Sequence, residues 1–201
     1  MISFFDESFN EIEGKKLNEC FKLRKKTFSD RLKWAVKCKD NMEFDEYDNE
    51  NASYIFGVSN DSLICSARLI ETKHPNMITH TFHDYFKDLK IPEGNFIESS
   101  RFFVDKERAA DLLGSGYPVT HDLFLAIVNY ARQHGYDGIL TIVSHAMMLI
   151  IKRSGWKLSI LNIGVSEKHQ NIYLLQLPVD EVTVSTLMSK ITKHNALPLA
   201  A

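Results

Sequence analysis

The chain reads Glu98-Ser99-Ser100-Arg101-Phe102-Phe103-Val104-Asp105 near its middle, so a carboxylate, two hydroxyls and a guanidinium lead into an aromatic, β-branched run. The run predicts a strand, and polar groups at one end of a strand are where open α/β sheets bind ligands. Because alternate side chains of a strand point to opposite faces, Glu98 and Arg101 are predicted to lie on opposite faces of the sheet. One could then act on a proton while the other binds an anion, which makes this stretch a candidate enzyme site.

Strand and helix patterns alternate on both sides of this run. Upstream, strands are predicted at 54–58 and 63–70, around the turn residues Asn60-Asp61. The remaining elements are helices at 11–28, 118–135, 145–153 and 179–194, and strands at 138–143, 156–161 and 171–177. This order predicts an α/β fold, a single-domain three-layer sandwich with a mixed central sheet. Residues 196–201 are expected to form a frayed tail.

Composition places the chain among ordinary globular proteins, since 44% of its 201 residues are hydrophobic and 25% are charged. The net charge of −2 gives no support for a nucleic-acid partner. The N-terminus lacks a basic segment followed by an apolar one, and the apolar runs are too short to span a bilayer, so no signal peptide and no membrane partner are predicted. Three cysteines without metal-ligand spacing favour a reduced, cytoplasmic location.

Two further features bear on function. The segment 29–51 is polar and strongly acidic, yet it contains aromatic residues such as Trp34 and Tyr47, which predicts a functional loop that folds over something. The eight histidines are scattered, and in the closest pair, His80 and His83, no carboxylate or cysteine completes a ligand set. No metal site is therefore predicted.

A set of short motifs resembles the acyl-homoserine-lactone synthases, the autoinducer synthases of bacterial quorum sensing. The N-terminal motif is Lys22-Leu23-Arg24-Lys25-Lys26-Thr27-Phe28-Ser29-Asp30-Arg31-Leu32-Lys33-Trp34. The other motifs, in the family's order, are Asp45 with Asp48, Cys65-Ser66-Ala67-Arg68, Glu98-Ser99-Ser100-Arg101-Phe102, Thr141-Ile142-Val143-Ser144 and Arg153-Ser154-Gly155-Trp156. The resemblance runs to about Leu177 and implies a fold similar to that of the acyl-CoA N-acetyltransferases.

The resemblance implies a reaction with two substrates. The amine of S-adenosylmethionine attacks an acyl thioester on acyl carrier protein, and the methionine carboxylate then closes a lactone and releases methylthioadenosine. S-adenosylmethionine is thus a consumed substrate, and no cofactor is expected. The N-terminal lobe, about 1–70, would bind it, and the half at about 96–177 would bind the acyl chain and the carrier protein.

The family's catalytic and S-adenosylmethionine-binding residues match several positions of this chain. Glu98 matches the proposed general base, and Ser100 a hydroxyl that assists it. Binding of S-adenosylmethionine is implied for Arg24, Phe28, Trp34, Asp45, Asp48, Arg68, Arg101 and Phe102. Two plainer alternatives stay open, because Glu98 could be a structural carboxylate and the charged residues could form a network that ties the N-terminal lobe to the sheet.

The acyl-chain pocket of the family matches Ser99, Phe124, Ile127, Thr141, Val143, Ser144, Met147, Ile150, Trp156 and Leu177. A buried hydroxyl needs a hydrogen-bond partner, so Thr141 predicts a 3-oxo group on the acyl chain, and the bulky neighbours predict six to eight carbons. Because acyl carrier protein is strongly acidic, Lys152 and Arg153 are predicted to dock it, together with Lys157 and Lys168.

Two other functions compete with this one. An acetyl-CoA-dependent N-acetyltransferase of the same fold would want a tight Gly-rich turn for the pyrophosphate, which the segment 103–120 lacks. A non-catalytic sensor would be free to lose Glu98, Arg68 or Asp48, and the chain has all three. The oligomeric state is not predicted.

Overall fold

The computed structural model describes residues 1–195, excepting the side chains of residues 193–195. Its strands are β1 Ser3–Ser8, β2 Cys38–Lys39, β3 Met42–Glu43, β4 Ala52–Ser59, β5 Ser62–Glu71, β6 Phe96–Val104, β7 Gly138–Ser144, β8 Ser159–Val165 and β9 Asn171–Leu177. Its α-helices are α1 Gly14–Arg24, α2 Lys106–Leu113, α3 Val119–Gln133, α4 His145–Ser154 and α5 Glu181–Asn195. Three short turns are helical, the π-helical Lys25–Arg31 and Met77–Thr81 and the 3₁₀-helical His83–Tyr85. The predicted tail at 196–201 lies outside the described residues.

Seven strands form one mixed sheet in the order β1-β4-β5-β6-β7-β9-β8, and β2 and β3 form a separate hairpin. Only the β6–β7 pair of the large sheet is parallel. Helices α2 to α5 cover one face, here called the α3–α4 face, through a core that includes Ala109, Leu123, Ile151 and Leu187. Helix α1 and the turn after it cover the other, the α1 face. The predicted three-layer sandwich with a mixed sheet is therefore confirmed.

Local sequence signals set the ends of the helices beside the site. Asp105 caps α2, because its carboxylate accepts hydrogen bonds from the backbone N–H groups of Glu107 and Arg108. Ser144 caps α4 in the same way, and Gly155 ends that helix in the left-handed conformation, at φ 84°. Strand β8 begins only at Ser159, three residues later than predicted, because Trp156 is buried and its indole N–H donates to the carbonyl of Pro178.

Strands β6 and β7 separate part of the way along their length. They pair only between Phe96–Glu98 and Gly138–Leu140. Beyond those residues β6 continues to Val104 beside β5, while β7 continues to Ser144 beside β9. The two strands therefore open a wedge toward their C-terminal ends, and Glu98 lies at its closed end.

A β-bulge in β6 changes which way its side chains point. Ser66 pairs with Phe103 and Arg68 with Ser100, so Arg101 and Phe102 together face the single residue between Ser66 and Arg68. Arg101 takes up the extra length at φ 52°. Its side chain consequently points to the α1 face, which Glu98 and Ser100 also share. The prediction that Glu98 and Arg101 lie on opposite faces is wrong, because simple alternation stops at the bulge.

Candidate active site

Three guanidinium and three carboxylate groups meet on the α1 face in what we call the buried ionic cluster: Arg24, Arg68, Arg101, Glu43, Asp45 and Asp48. Arg24 donates to Glu43 at 2.6 Å and forks onto both oxygens of Asp48 at 2.7 and 3.0 Å. Such bidentate pairing fixes the orientation of both groups. The ion pairs of the cluster thereby join helix α1 to strand β5 and to the acidic segment 29–51, here called the acidic loop.

The second half of the cluster is built on Arg101. Its Nε and Nη2 atoms lie 3.0 and 2.9 Å from Glu43 Oε1, and Nη2 lies 2.7 Å from Asp45. Arg68 also donates to Asp45, and to Asp48 at 2.9 Å. The bulge is what brings Arg101 into this network, since a regular strand would point its side chain to the other face.

The cluster is almost wholly shielded from solvent. The side chains of Arg24, Arg68, Glu43 and Asp48 are 0 to 2% exposed, whereas those of Asp45 and Arg101 are each 9% exposed. Burial alone would raise the pKa of the Asp48 carboxyl, but Arg24 and Arg68 hold it well below its usual range. The cluster is therefore charged but balanced, and only Asp45 and Arg101 reach its surface.

Glu43 was not among the predicted site residues, although it connects Arg24 to Arg101. It lies in β3, within the acidic segment and two residues before Asp45. Sequence carries only a weak signal for it, because several neighbouring acids, such as Glu46 at 60% side-chain exposure, are solvated. Burial distinguishes Glu43 from them, and burial depends on the fold.

Glu98 is 1% exposed and lies beside the cluster. Ser100 Oγ donates to its carboxylate at 3.2 Å, and Arg68 Nε donates in turn to Ser100 Oγ at 3.3 Å. Burial raises the pKa of Glu98 from its usual 4.5 to about 7, against the opposing effects of Arg68 and Ser100. A carboxyl group that titrates near neutral pH is suited to accept a proton during a reaction.

Phe28 and Trp34 stack on each other beside the cluster. Their rings lie 5.1 Å apart at an angle of 10°, and the Arg101 guanidinium lies 5.7 Å from the Phe28 ring. Phe28 is buried, while Trp34 is 46% exposed. The pair thus presents one aromatic surface to solvent next to the exposed edge of the cluster.

Phe102 lies away from the other residues predicted to bind S-adenosylmethionine. The bulge turns it to the α3–α4 face, where its ring lies 5.1 Å from that of Phe124. The structure therefore groups Phe102 with the predicted acyl-chain residues.

Most of the predicted acyl-chain residues do come together on the α3–α4 face. Phe124, Ile127, Val143, Trp156 and Leu177 belong to one buried core, with Met147 packed against it. Two predicted residues lie outside this group. Ser144 is exposed and caps α4, and Ile150 is 42% exposed.

Thr141 and Ser99 meet across the wedge, just beyond the last paired residues. The Thr141 hydroxyl donates to the carbonyl of Ser99 at 2.8 Å. The hydroxyl thus already has a partner in the protein, so its burial alone does not require an oxygen from the substrate. It still lies in the wedge between the strands.

Of the four predicted docking residues, Lys168 lies apart from the other three. Lys152 and Arg153 are exposed in the last turn of α4, and Lys152 lines a surface cavity with Asp137, Lys157 and Ser159. Asp137 directly precedes Gly138, which pairs with Phe96, so this cavity lies at the closed end of the wedge. Lys168 is elsewhere, between β8 and β9, where its Nζ donates to the carbonyl of Lys33.

Neither a metal cluster nor a membrane-crossing helix is found within residues 1–195. No three His, Cys, Asp or Glu side chains described there lie together as ion ligands. None of the described helices is both long and apolar enough to cross a bilayer.

Comparison with known proteins shows the family to which the chain is similar. A family model described as "Autoinducer synthase" matches residues 8–187. A protein of Pectobacterium parmentieri named acyl-homoserine-lactone synthase is 58% identical over 97% of this chain and 89% of its own length. A protein of the same name from Dickeya chrysanthemi is 56% identical over 96% of this chain and 91% of its own.

Solved structures share the fold at lower identity. BjaI, described as a CoA-dependent acyl-homoserine lactone synthase with SAM and isopentyl-CoA, superimposes with a TM-score of 0.84 and 18% identity over 96% of this chain and 90% of its own. The synthase LasI superimposes with a TM-score of 0.83 and 22% identity, over 94% of this chain and 95% of its own. An acyl-CoA N-acyltransferase from Pseudomonas aeruginosa is more distant. Its TM-score is 0.58, and it is 11% identical over 87% of this chain and 99% of its own.

Proposed function

The chain belongs to the autoinducer synthase family, and we propose that it is an acyl-homoserine-lactone synthase whose substrates are S-adenosylmethionine and an acyl thioester. The observation that carries the proposal is the position of Glu98, a buried carboxyl beside the ionic cluster at the closed end of the wedge, where burial raises its pKa to about 7. An amine must lose a proton as it attacks a thioester, and Glu98 is the group placed to take it.

We place S-adenosylmethionine on the α1 face. Asp45 and Arg101 reach the surface of the ionic cluster, so they are the members that contact the substrate. Asp45 suits its ammonium group, and Arg101 its carboxylate. The exposed ring of Trp34, backed by Phe28, suits the adenine or the sulfonium. On the buried side, Arg68 and Asp48 hold Asp45 in place, and Arg24 in turn holds Asp48.

The chemistry then follows in two steps. In the first, the ammonium group gives one proton to solvent and the neutral amine attacks the thioester carbonyl. Glu98 takes the second proton, and the tetrahedral intermediate expels the thiolate, leaving an amide. In the second, the methionine carboxylate oxygen attacks the methionine γ-carbon, and the bond from that carbon to the sulfonium breaks. This closes the lactone ring and releases methylthioadenosine as a neutral thioether. S-adenosylmethionine is consumed, and enters as a substrate. Holding both substrates across the wedge supplies the orientation that the first step requires.

We place the acyl chain on the α3–α4 face, against Phe102, Phe124 and Trp156. The rings of Phe124 and Trp156 are buried and that of Phe102 packs against their core, which limits the space. We therefore propose a chain of about six to eight carbons, bearing a 3-oxo group by analogy with the family. We propose acyl carrier protein as the donor, although BjaI is described as CoA-dependent. Both substrates are cytoplasmic molecules, so we also propose a cytoplasmic location.

The test of this function is direct product analysis. The purified protein receives S-adenosylmethionine with equal amounts of acyl and 3-oxo-acyl chains, on carrier protein or on CoA, and the products are identified by mass spectrometry. We expect lactones with 3-oxo chains, formed from the carrier protein. Equal turnover of CoA thioesters would reject the choice of donor, and absence of lactone would reject the function.

Replacing Thr141 by Val should change the product ratio. Valine keeps the shape of the side chain but removes the hydroxyl, which lies in the wedge and can turn from the Ser99 carbonyl toward a keto oxygen. We expect the ratio of 3-oxo to unsubstituted lactone to fall by up to about tenfold. A hydrogen bond of about 1.4 kcal/mol sets this upper bound, because the hydroxyl exchanges its bond to Ser99 for one to the keto oxygen. Thr183→Val, at another buried threonine, is the control. An unchanged ratio in Thr141→Val would show that the hydroxyl has no part in selecting 3-oxo chains.

A further inference from the structure

The guanidinium of Arg101 has strong partners on one side and a weak partner on another. Its Nε and Nη2 atoms lie against the carboxylates of Glu43 and Asp45. Its Nη1 atom instead donates to the thioether sulfur of Met77 at 3.0 Å, and within residues 1–195 Nη1 has no hydrogen bond to an oxygen atom. A thioether is a weak acceptor, so Nη1 keeps most of its capacity to bind an anion.

Met77 is the first residue of the π-helical turn Met77–Thr81, which is anchored at both ends. At its start, the side chain of Asn76 is buried and accepts hydrogen bonds from two backbone N–H groups of the turn. At its end, Thr81 Oγ1 lies 2.8 Å from the hydroxyl of Tyr47, which belongs to the acidic loop. The backbone of Met77 is therefore fixed beside the ionic cluster, while its unbranched side chain keeps rotatable bonds.

The contact between Met77 and Arg101 leaves one side of the guanidinium for a substrate. An arginine binds a carboxylate best through two N–H donors that point the same way. Glu43 already takes the side formed by Nε and Nη2, so the side formed by Nη1 and Nη2 is the one that a substrate carboxylate can use. On that side only the thioether has to move.

We propose that Met77 is a positioning residue that keeps this side of Arg101 available for the carboxylate of S-adenosylmethionine, an inference that rests on the function given above. In the free protein the thioether covers Nη1 with a contact weak enough to be given up. When the substrate binds, the thioether moves aside and the carboxylate binds Nη1 and Nη2 together. A side chain with an oxygen acceptor at this position would hold Nη1 more strongly and compete with the substrate.

Substitution of Met77 tests whether the affinity for the substrate follows the strength of the acceptor at this position. Met77→Gln has nearly the same length and supplies a carbonyl oxygen, whereas Met77→Leu supplies no acceptor. Met188→Gln makes the same change at a position of α5 that is 52% exposed, and is the control. Calorimetry gives the Kd for S-adenosylmethionine and the Kd for methylthioadenosine, which lacks the carboxylate.

We expect Met77→Gln to raise the Kd for S-adenosylmethionine about tenfold, the factor that one hydrogen bond to a charged group contributes. Its Kd for methylthioadenosine should stay that of the wild type, because this ligand does not use Nη1. Its kcat at saturating S-adenosylmethionine should fall less than its Kd rises, since the new acceptor competes for binding alone. Met77→Leu should bind S-adenosylmethionine at least as tightly as the wild type, and Met188→Gln should match the wild type.

Equal loss of both ligands in Met77→Gln would mean a damaged site and would overturn the proposal. Weaker binding of S-adenosylmethionine to Met77→Leu would also overturn it, even if Met77→Gln does not fold. The wild-type protein separates this proposal from the function. If it makes lactone while all variants share its Kd, the role of Met77 fails and the synthase function stands. If it neither binds S-adenosylmethionine nor makes lactone, the function fails and the role of Met77 fails with it.

Discussion

Replacing Glu98 by Gln should lower kcat for lactone formation by about 10²–10⁴-fold, the usual contribution of a general base. Gln keeps the size of the side chain and can still accept the hydrogen bond from Ser100, but it cannot take a proton. The Kd for S-adenosylmethionine should change little, because Asp45 and Arg101 carry the contacts. Steady-state kinetics together with calorimetry separate these two quantities. A variant with wild-type kcat would remove Glu98 from the mechanism.

The pH dependence of kcat/KM gives a second test of Glu98 as the general base. Because burial raises the pKa of Glu98 to about 7, the wild-type kcat/KM should fall with falling pH below that value, as one proton binds. This acid limb should disappear from the residual activity of Glu98→Gln. An acid limb that persists in the variant would mean that another group accepts the proton.

The free energy of unfolding of Glu98→Gln shows whether the variant has lost catalysis alone or also its folded structure. The folded pKa of Glu98 lies above the unfolded value near 4.5, so its contribution to stability is present below pH 4.5 and is lost as the pH rises through about 7. Glu98→Gln removes this dependence. We therefore expect the variant to be at least as stable as the wild type at pH 8, by urea unfolding. Marked destabilisation at pH 8 would indicate a structural role for the carboxylate.

Replacing Glu43 by Ala should lower the free energy of unfolding by about 3 kcal/mol, the lower end of what breaking a buried ion pair costs. The change removes a partner from Arg24 and from Arg101 at once. Each guanidinium keeps one other carboxylate, Asp48 or Asp45, which is why the lower end applies. Such a loss is a large share of the 5 to 15 kcal/mol that stabilises a typical domain.

The matched control is Glu46→Ala, on the same loop. The Glu46 side chain is 60% exposed, so its removal should change the free energy of unfolding by less than about 0.5 kcal/mol. Both variants are compared by urea unfolding. Equal effects would mean that burial of Glu43 does not tie the acidic loop to the sheet.

The main elements of the fold could be predicted because the apolar spacing of the chain agrees with its turn chemistry. Helix α3 follows an apolar stripe that begins after Pro118, and α4 lies between the capping residues Ser144 and Gly155. The grouping of Phe124, Ile127 and Val143 in one core follows from the same periodicity. What sequence could not supply was the point at which β6 and β7 separate, since it depends on tertiary packing.

The errors about the site have one main physical cause, the bulge in β6. No Gly or Pro marks it, and Arg101 adopts its positive φ although it has a Cβ atom. The extra residue turns Arg101 to the face of Glu98 and moves Phe102 to the other. The sequence did not predict the role of Glu43 or the Thr141–Ser99 hydrogen bond for a related reason. Each depends on a partner distant in sequence.

The most direct test of the central claim is to measure methylthioadenosine and lactone together. The purified protein is incubated with S-adenosylmethionine and an acyl carrier protein loaded with a 3-oxo six-carbon chain, and both products are quantified by mass spectrometry. Our account predicts equal amounts of the two. Acylated amine without methylthioadenosine would contradict it and indicate plain N-acyl transfer.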